Sequence, residues 1–155
     1  MIDKDRIPET ITSTLLLPFL EKNLLGRIDK INFPPPIFEA MKGEVVDFDI
    51  ENESLKNKFP VLSEYLNPYG SMQGGMISAA IDNTIGPLSL LVSPPSFTRH
   101  MEVKYRKIVS PELGYIYVTA KFIGKKKQQL FFEAVVEDSD GNKLASAKST
   151  HWVID

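Results

Sequence analysis

The most regular hydrophobic pattern in the chain lies between residues 76 and 88, where apolar side chains recur at three- and four-residue spacing. This period predicts an amphipathic helix. Its apolar face, which is suited to burial against a sheet, consists of Met76, Ile77, Ala80, Ile81, Thr84, Ile85 and Leu88. The opposite face is small apart from one ionisable group and consists of Ala79, Asp82, Asn83 and Gly86. A second backbone can therefore approach this small-residue face closely and meet a carboxylate in a medium of low dielectric constant.

The ends of this helix are marked by turn residues and prolines. The stretch from Asn67 to Gly70 is typical of a turn, and we expect the helix to begin at about Gln73. Pro87 removes the backbone hydrogen bond one turn back, so the helix is expected to kink or end near Gly86. Residues 93–95, Ser-Pro-Pro, then end it firmly.

Alternation of apolar and polar residues predicts strands on both sides of the helix. Before it, residues 43–51 alternate, with Val45 or Val46, Phe48 and Ile50 on the side expected to be buried. After it, alternation predicts strands over residues 97–108 and 114–122, the apolar residues 130–137 are expected to form a central strand, and residues 143–154 a last strand. A polar turn over residues 124–129 and a hairpin turn over residues 138–142 connect the last three. Residues 52–66 have no clear period, and residues 59–66 are either a further strand or irregular.

The N-terminal part has a different character. Residues 8–26 are typical of a short amphipathic helix that ends at Gly26, and the prolines at 34–36 force an extended connection before one helical turn over residues 37–41. We expect an α+β fold in which an antiparallel sheet wraps around one long central helix. Residues 1–40 would be an N-terminal helical extension, and residues 41–155 the domain itself.

Composition narrows the function classes. A chain of 155 residues that is 43% hydrophobic and 25% charged is typical of one soluble globular domain. The net charge of -2 gives no general attraction to nucleic acid or to an anionic membrane. The absence of cysteine excludes disulfides, thiolate metal sites and cysteine nucleophiles.

No signal peptide or membrane span is expected in the N-terminal apolar stretch, so a cytoplasmic location is expected. His100 and His151 lack the spacing of metal ligands, and no metal site is expected.

The segment Asn67-x-x-Gly70-x-x-Gln73-Gly74-Gly75, with Asp82 seven residues further on, resembles the hotdog-fold acyl-CoA thioesterases of the phenylacetic acid degradation (PaaI-like) type. Further matching residues are Phe97, Thr98, Tyr105, Gly124, Lys125 and those at 140–145. The resemblance covers roughly residues 40–154. It implies the hotdog fold, an acyl-CoA substrate, no metal or redox cofactor other than coenzyme A as part of the substrate, and a homodimer or a dimer of dimers.

One residue departs from this family pattern. The family has a histidine where this chain has Gln73. A glutamine amide can donate a hydrogen bond to a thioester carbonyl, but it cannot accept a proton at neutral pH. The related 4-hydroxybenzoyl-CoA thioesterases resemble this chain in placing Gln near the carbonyl, so the change is compatible with hydrolysis.

Thioester hydrolysis requires donors for the developing oxyanion and a group that activates water or attacks directly. The free backbone N–H groups of Gly74 and Gly75 at the positive end of the helix dipole suit the first role. Asp82 suits the second, as general base or nucleophile. At about 1.5 Å rise per residue, Asp82 lies roughly 10 Å along the helix from those donors. A two-fold dimer in which the helices pass each other would bring Asp82 toward Gly75 of the partner subunit.

The resemblance assigns roles to further residues, and each also has a purely structural interpretation. It places Asn67 and Gln73 beside Gly75, although Asn67 is also typical of a turn and Gln73 of a helix cap. Thr98 is expected to hold water or Asp82, or to serve only as a strand residue. Lys125 and Lys126 are expected near the coenzyme A entrance, where phosphates favour lysine, or only at a solvated hairpin tip.

Two other functions fit parts of the pattern. A non-catalytic hotdog protein that binds acyl-CoA or a related ligand is consistent with Gln73. A hotdog dehydratase acting on acyl carrier protein substrates requires a histidine beside the carboxylate. Since neither His100 nor His151 lies near the helix in sequence, the dehydratase is the less favoured alternative.

Overall fold

The computed structural model describes residues 16, 22 and 32–154, which form two helices, six strands and two short 3-10 turns. The helices are α1 (Pro36–Ala40) and α2 (Gly74–Val92). The strands are β1 (Glu44–Asp49), β2 (Ser54–Pro60), β3 (Ser96–Tyr105), β4 (Tyr115–Lys126), β5 (Gln129–Glu137) and β6 (Lys143–Val153). The strands form one antiparallel sheet in the order β1-β2-β4-β5-β6-β3. The predicted α+β architecture, with one long helix against an antiparallel sheet, is confirmed.

Helix α2 buries the face that its periodicity predicts. Of the seven predicted residues only Met76 is partly exposed, and Ile81, Ile85 and Leu88 have no exposed surface. This face packs against strands β2, β3, β4 and β5, from which Ile116, Val118, Leu130, Phe132 and Val136 complete the core. The small-residue face, which includes Asp82, is only partly covered in the single chain.

The helix does not end near Gly86, which was one of the two predicted outcomes, because α2 continues through Pro87 to Val92; its C-cap is Ser93, the first of the three residues expected to end it. Pro87 has no N–H for the carbonyl of Asn83, so a donor is missing from the helix. The Nδ2 group of Asn57, buried in β2, donates a 3.3 Å hydrogen bond to that carbonyl oxygen. A side chain from the sheet therefore replaces the missing main-chain donor and keeps the helix continuous.

Strand β2 covers residues 54–60 and overlaps only Phe59 and Pro60 of the segment 59–66, for which a further strand was one of the two alternatives. Leu55, Asn57 and Phe59 are buried toward α2, whereas Lys56 and Lys58 lie on the opposite face. The period of two is present, but Asn57 stands at a core position and conceals it. Residues 61–66 are irregular apart from a 3-10 turn at residues 63–65.

Some strand ends also differ from the predictions. Strand β4 runs to Lys126 instead of ending at Phe122, because a bulge between Phe122 and Gly124 lets pairing with β5 continue. Strand β3 ends at Tyr105 instead of at residue 108, and Ile50, predicted to be buried in the first strand, follows β1 and is half exposed. The other strand ends agree with the predictions to within one or two residues.

The N-terminal predictions are described only in part. The helical turn expected at residues 37–41 is α1, which begins one residue earlier with Pro36 at its first position. The predicted helix over residues 8–26 lies outside the described residues, except for Leu16, buried, and Lys22, exposed, both in helical conformation.

By length and composition alone, α2 would suffice to cross a bilayer, since it has 19 residues and a window of mean hydropathy 1.3. Half of that window is buried inside the fold. Core helices of soluble proteins meet the same criterion, so this property does not distinguish a membrane span from a helix covered by a sheet.

Candidate active site

Asp82, the carboxylate on the small-residue face of α2, is held by a residue from the sheet. The hydroxyl of Thr98, near the start of β3, donates a 2.7 Å hydrogen bond to Asp82 Oδ1. The carboxylate itself remains partly exposed. The sequence-predicted pair Asp82 and Thr98 is therefore brought together, with the carboxylate oriented and still accessible from outside the chain.

The start of α2 presents the predicted backbone donors. Gln73 is the N-cap residue, and its carbonyl accepts the N–H groups of Met76 and Ile77 at 2.9 and 3.2 Å. No hydrogen bond among the described residues uses the N–H of Gly74 or Gly75. The side chain of Gln73 makes no capping hydrogen bond and is exposed. Gln73 therefore caps the helix through its backbone, as one interpretation predicted, and its side-chain amide remains exposed beside Gly75.

Tyr105, at the end of β3, covers the first residue of α2. Its hydroxyl forms a 2.5 Å hydrogen bond with Ser78 Oγ, one turn into the helix. A Cβ atom added to Gly74 would lie 3.2 Å from Tyr105 Cζ, tighter than normal van der Waals contact. Glycine at position 74 thus permits the ring to lie against the helix start.

A groove of about 350 Å³ opens beside this ring. Its walls come from the turn before α2, from α2 itself and from the chain after β3, and include Ser71, Gly74, Ile77, Tyr105, Arg106 and Ile108. The groove joins an apolar wall to polar and positively charged groups. Such a surface can take a ligand with an apolar part next to the backbone donors.

Asn67 organises the turn that leads into α2. Its Oδ1 accepts the N–H groups of Tyr69 and Ser71 at 2.9 and 3.2 Å, and its Nδ2 donates to Ser71 Oγ at 2.9 Å. Gly70 in this turn has a φ of +78°, a conformation that glycine adopts without strain. The structure thus shows Asn67 as the turn former, one of its two predicted roles.

His151 lies close to the predicted carboxylate, which its position in the sequence does not suggest. It is on β6, its Nε2 is 3.2 Å from Thr98 Oγ1, and its Nδ1 is 3.2 Å from Ser96 Oγ. Burial lowers the pKa of the His151 imidazole below its usual value, and the negative charge of Asp82 acts in the opposite direction. His151 is distant from the helix in sequence but close to its carboxylate in the fold, because β6 and β3 are neighbours in the sheet.

Lys125 and Lys126 lie at the exposed tip of the β4–β5 hairpin. The sheet register places Lys125 opposite Leu130, Leu130 opposite His151 and His151 opposite Thr98. With about 4.8 Å between adjacent strands, the backbone of Lys125 is roughly 14 Å from that of Thr98. The hairpin tip is therefore at the same end of the sheet as the carboxylate, while Gly75 and the groove belong to the helix start.

Two features of the site were not found from the sequence. The Ser78–Tyr105 contact and the burial of His151 behind Thr98 depend on strand register, for which the sequence has no local signal. Tyr105 is one of the residues that match the family pattern, but the resemblance assigns it no role. In the described part of the chain, no three His, Asp or Glu side chains are grouped in a way that could hold a metal ion.

The fold is shared with several solved structures. The PaaI protein of the phenylacetic acid degradation operon of E. coli superposes with a TM-score of 0.74 and 13% identity, over 90% of this chain and 96% of that one. A hypothetical thioesterase protein with coenzyme A from Streptococcus pneumoniae TIGR4 gives 0.68 and 15%, over 76% and 90%. The smu.793 protein of Streptococcus mutans UA159, bound to acetyl CoA, gives 0.66 and 19%, over 72% and 88%.

No protein-family model matches the sequence, and neither does any curated protein. At these identities the structural likeness establishes the fold. The predicted hotdog fold and the predicted resemblance to structures of the PaaI type are thereby confirmed.

Proposed function

We propose that this chain hydrolyses acyl-CoA thioesters, with Asp82 as the general base or nucleophile and the N–H groups of Gly74 and Gly75 as the oxyanion donors. The observation that carries the proposal is the Thr98–Asp82 hydrogen bond, which orients an accessible carboxylate within a fold shared with a hypothetical thioesterase protein with coenzyme A. The neighbours solved with acetyl CoA and with coenzyme A support the substrate class, and the carboxylate and the donors would supply the two groups that hydrolysis requires.

The two halves of the chemistry are separated within one chain. Asp82 lies about 10 Å along α2 from Gly75, so it cannot attack a carbonyl held at its own helix start. We therefore place each active site between two chains, with Asp82 of one protomer facing Gly75 of the partner subunit. The small, partly covered face of α2 supports this arrangement, since Ala79 and Gly86 allow a second helix to approach closely.

The edge of the sheet also supports an assembly. Strand β3 is ten residues long and pairs with β6 on one side, while no strand among residues 32–154 pairs with its other edge. Phe97 and Tyr105 on this strand are each about half exposed. A long open edge with exposed aromatic side chains is a surface that proteins normally cover, which favours a homodimer or a dimer of dimers.

The remaining residues would bind the substrate. In the composite site, Gln73 would donate its side-chain N–H to the thioester carbonyl beside Gly75. Lys125 and Lys126 would interact with coenzyme A phosphates at the hairpin tip, near the Asp82 half of the site. No metal or redox cofactor is needed for this chemistry, since coenzyme A enters as part of the substrate.

A non-catalytic acyl-CoA-binding protein is the second candidate, favoured by Gln73 in place of a proton-accepting histidine. Hydrolysis of short-chain, long-chain and aromatic acyl-CoAs, followed by detection of the free thiol, separates the two. Wild type should release thiol from at least one substrate, and Asp82→Ala should be slower by about 10³-fold. Asp47→Ala, at an exposed carboxylate on β1, serves as the control and should match wild type.

Tight binding without thiol release by wild type would favour the binding protein. Equal thiol release by wild type and Asp82→Ala would remove Asp82 from the mechanism while leaving hydrolysis established.

A further inference from the structure

His151 is a buried polar residue that the proposed hydrolysis does not use. Its side chain is only 1% exposed, and its ring packs against Phe132 with 4.8 Å between ring centroids. Among the buried polar side chains of the described residues, His151 alone titrates near neutral pH; the others are Asn57, Thr84, Ser89, Ser93 and Ser149. A titratable group at such a position requires partners for both ring nitrogens.

Both partners are hydroxyl groups of β3. Ser96 Oγ lies 3.2 Å from Nδ1, and Thr98 Oγ1 lies 3.2 Å from Nε2. The same Thr98 oxygen lies 2.7 Å from Asp82 Oδ1. A continuous chain of hydrogen bonds therefore runs from Ser96 through the imidazole and Thr98 to the carboxylate on α2.

The direction of this chain follows from the number of protons available. A carboxylate only accepts hydrogen bonds, so the single hydroxyl proton of Thr98 must point toward Asp82. The Thr98 oxygen is then an acceptor toward His151, and Nε2 must carry a proton. In a neutral ring Nδ1 is then unprotonated and accepts the hydroxyl proton of Ser96.

The other neutral tautomer would break the chain at Thr98. With the proton on Nδ1, the lone pair of Nε2 would face the Thr98 oxygen and compete with Asp82 for its hydroxyl proton. Because burial lowers the pKa of His151, the neutral ring is the relevant form at neutral pH, and its tautomer decides which group receives that proton.

We infer that His151 is a positioning residue for Asp82: its Nε2–H group holds the Thr98 hydroxyl in the orientation that donates to the carboxylate. This inference rests on the proposed function for its consequence in catalysis. His151 cannot itself contact substrate, since it lies behind Thr98 with almost no exposed surface. Its effect must therefore be transmitted through the Thr98 hydroxyl.

Two substitutions at position 151 separate this role from simple core filling. Glutamine can place an N–H near the position of Nε2, whereas asparagine can place polar atoms only near Nδ1. His151→Asn should lower kcat about tenfold, equivalent to about 1.4 kcal/mol of transition-state stabilisation, with KM within about twofold of wild type. His151→Gln should keep kcat within about threefold. Equal losses in both variants would overturn the inference.

A double-mutant cycle tests the route of the effect. If His151 acts through Thr98, adding His151→Asn to Thr98→Val should lower kcat no further, because the hydroxyl that it orients is already absent. If instead the kcat losses of the two single variants multiply in the double variant, His151 acts by another route and the inference is overturned.

Nuclear magnetic resonance tests the arrangement without any substrate. Long-range ¹H–¹⁵N correlation spectra at pH 7.5 should show His151 as the Nε2–H tautomer, with His100→Gln used to assign the two histidines. An Nδ1–H tautomer, or averaging between the two tautomers, would overturn the inference even if a position-151 variant fails to fold. If wild type released no thiol from any acyl-CoA, the proposed function would fail, and the tautomer would still decide whether the hydrogen-bond chain exists.

Discussion

Thr98 and Asp82 are joined by a 2.7 Å hydrogen bond that connects the edge strand β3 to the third turn of helix α2. Sixteen positions separate the two residues in sequence, and only the return of the chain after α2 brings them together. The bond restricts the carboxylate to one orientation without burying it. An oriented and accessible carboxylate is what a general base or nucleophile requires.

Removal of the Thr98 hydroxyl should lower the rate of hydrolysis more than it changes the fold. Thr98→Val keeps the β-branched shape but loses the donor to Asp82, and kcat should fall about 10- to 100-fold. Thr98→Ser keeps the hydroxyl and should stay within about threefold of wild type. Steady-state thiol release measures both, with thermal unfolding as the check that each variant is folded. A loss of the same size in the serine variant would assign the effect to the methyl group instead.

Two inactive variants should restore each other if the active site is shared between chains. Asp82→Ala removes the base, and Gly75→Val places a branched side chain where the carbonyl would approach. Random pairing of equal amounts makes half the dimers mixed, each with one intact site, so about a quarter of the wild-type activity should return. Mixing after partial denaturation and refolding, followed by a thiol-release assay, measures this recovery.

The control for this experiment is a mixture of Asp82→Ala with Asp82→Asn, which damages the same half of every site and should recover nothing. No recovery in mixed dimers verified by mass spectrometry would contradict the composite site.

Alanine substitutions at the neighbouring residues Gly74 and Gly75 should differ in their effect on stability. A Cβ at Gly74 would meet the Tyr105 ring at 3.2 Å, whereas one at Gly75 would meet only the Gln73 side chain at 3.7 Å. Gly74→Ala should therefore be less stable than Gly75→Ala by about 1 kcal/mol, because the ring must move. Urea unfolding measures the difference, which should disappear in a Tyr105→Ala background. If the difference in stability persists in the Tyr105→Ala background, its cause is the backbone and not the Tyr105 ring.

The long helix and the candidate carboxylate were predictable because they rest on local signals. The helical period from Met76 to Leu88 identifies the buried face of α2, and the spacing of Gly75 and Asp82 places the acid two turns from the donors. The four strands after α2 were also predictable from local signals, since residues 97–108 and 114–122 alternate, residues 130–137 are largely apolar, and a hairpin turn precedes residues 143–154.

The remaining features depend on contacts distant in sequence. Pro87 predicts a helix end because its missing N–H is a local property, whereas Asn57, which supplies the replacement donor, comes from β2. That strand was missed because Asn57 itself occupies a core position. His151 is likewise remote from Asp82 in sequence. Only the pairing of β6 with β3 places it behind Thr98.

The link between Asn57 and Pro87 can be measured as a coupling energy. Asn57→Leu removes the donor to the Asn83 carbonyl and should cost about 1–3 kcal/mol of stability. In a Pro87→Ala background the helix supplies its own N–H to that carbonyl, so the same substitution should cost less. Urea unfolding of the four proteins determines the coupling, and a cost that is independent of residue 87 would contradict the replacement of one donor by the other.

The stability of the fold should depend on pH through His151. Burial lowers the pKa of His151 in the folded chain below the usual value of about 6.5, which the unfolded chain retains. Between these two pKa values the unfolded state binds more protons, so the free energy of unfolding falls as the pH is lowered below about 6.5 and levels off below the folded pKa. One group contributes at most about 1.4 kcal/mol per pH unit. Urea unfolding between pH 7.5 and 5.5 measures this slope.

The range from pH 7.5 to 5.5 avoids the titration of the carboxylates Asp49, Glu64, Glu112 and Asp138. Their pKa values are lowered by hydrogen bonds, and they lose stabilisation only in more acidic solution. His151→Gln should remove the His151 contribution to the slope, since the amide does not titrate, while His100→Gln, at an exposed position, controls for the loss of a histidine. An unchanged slope in His151→Gln would show that the buried ring is not the source of the pH dependence, and hence that burial does not lower the pKa of His151 in the folded chain.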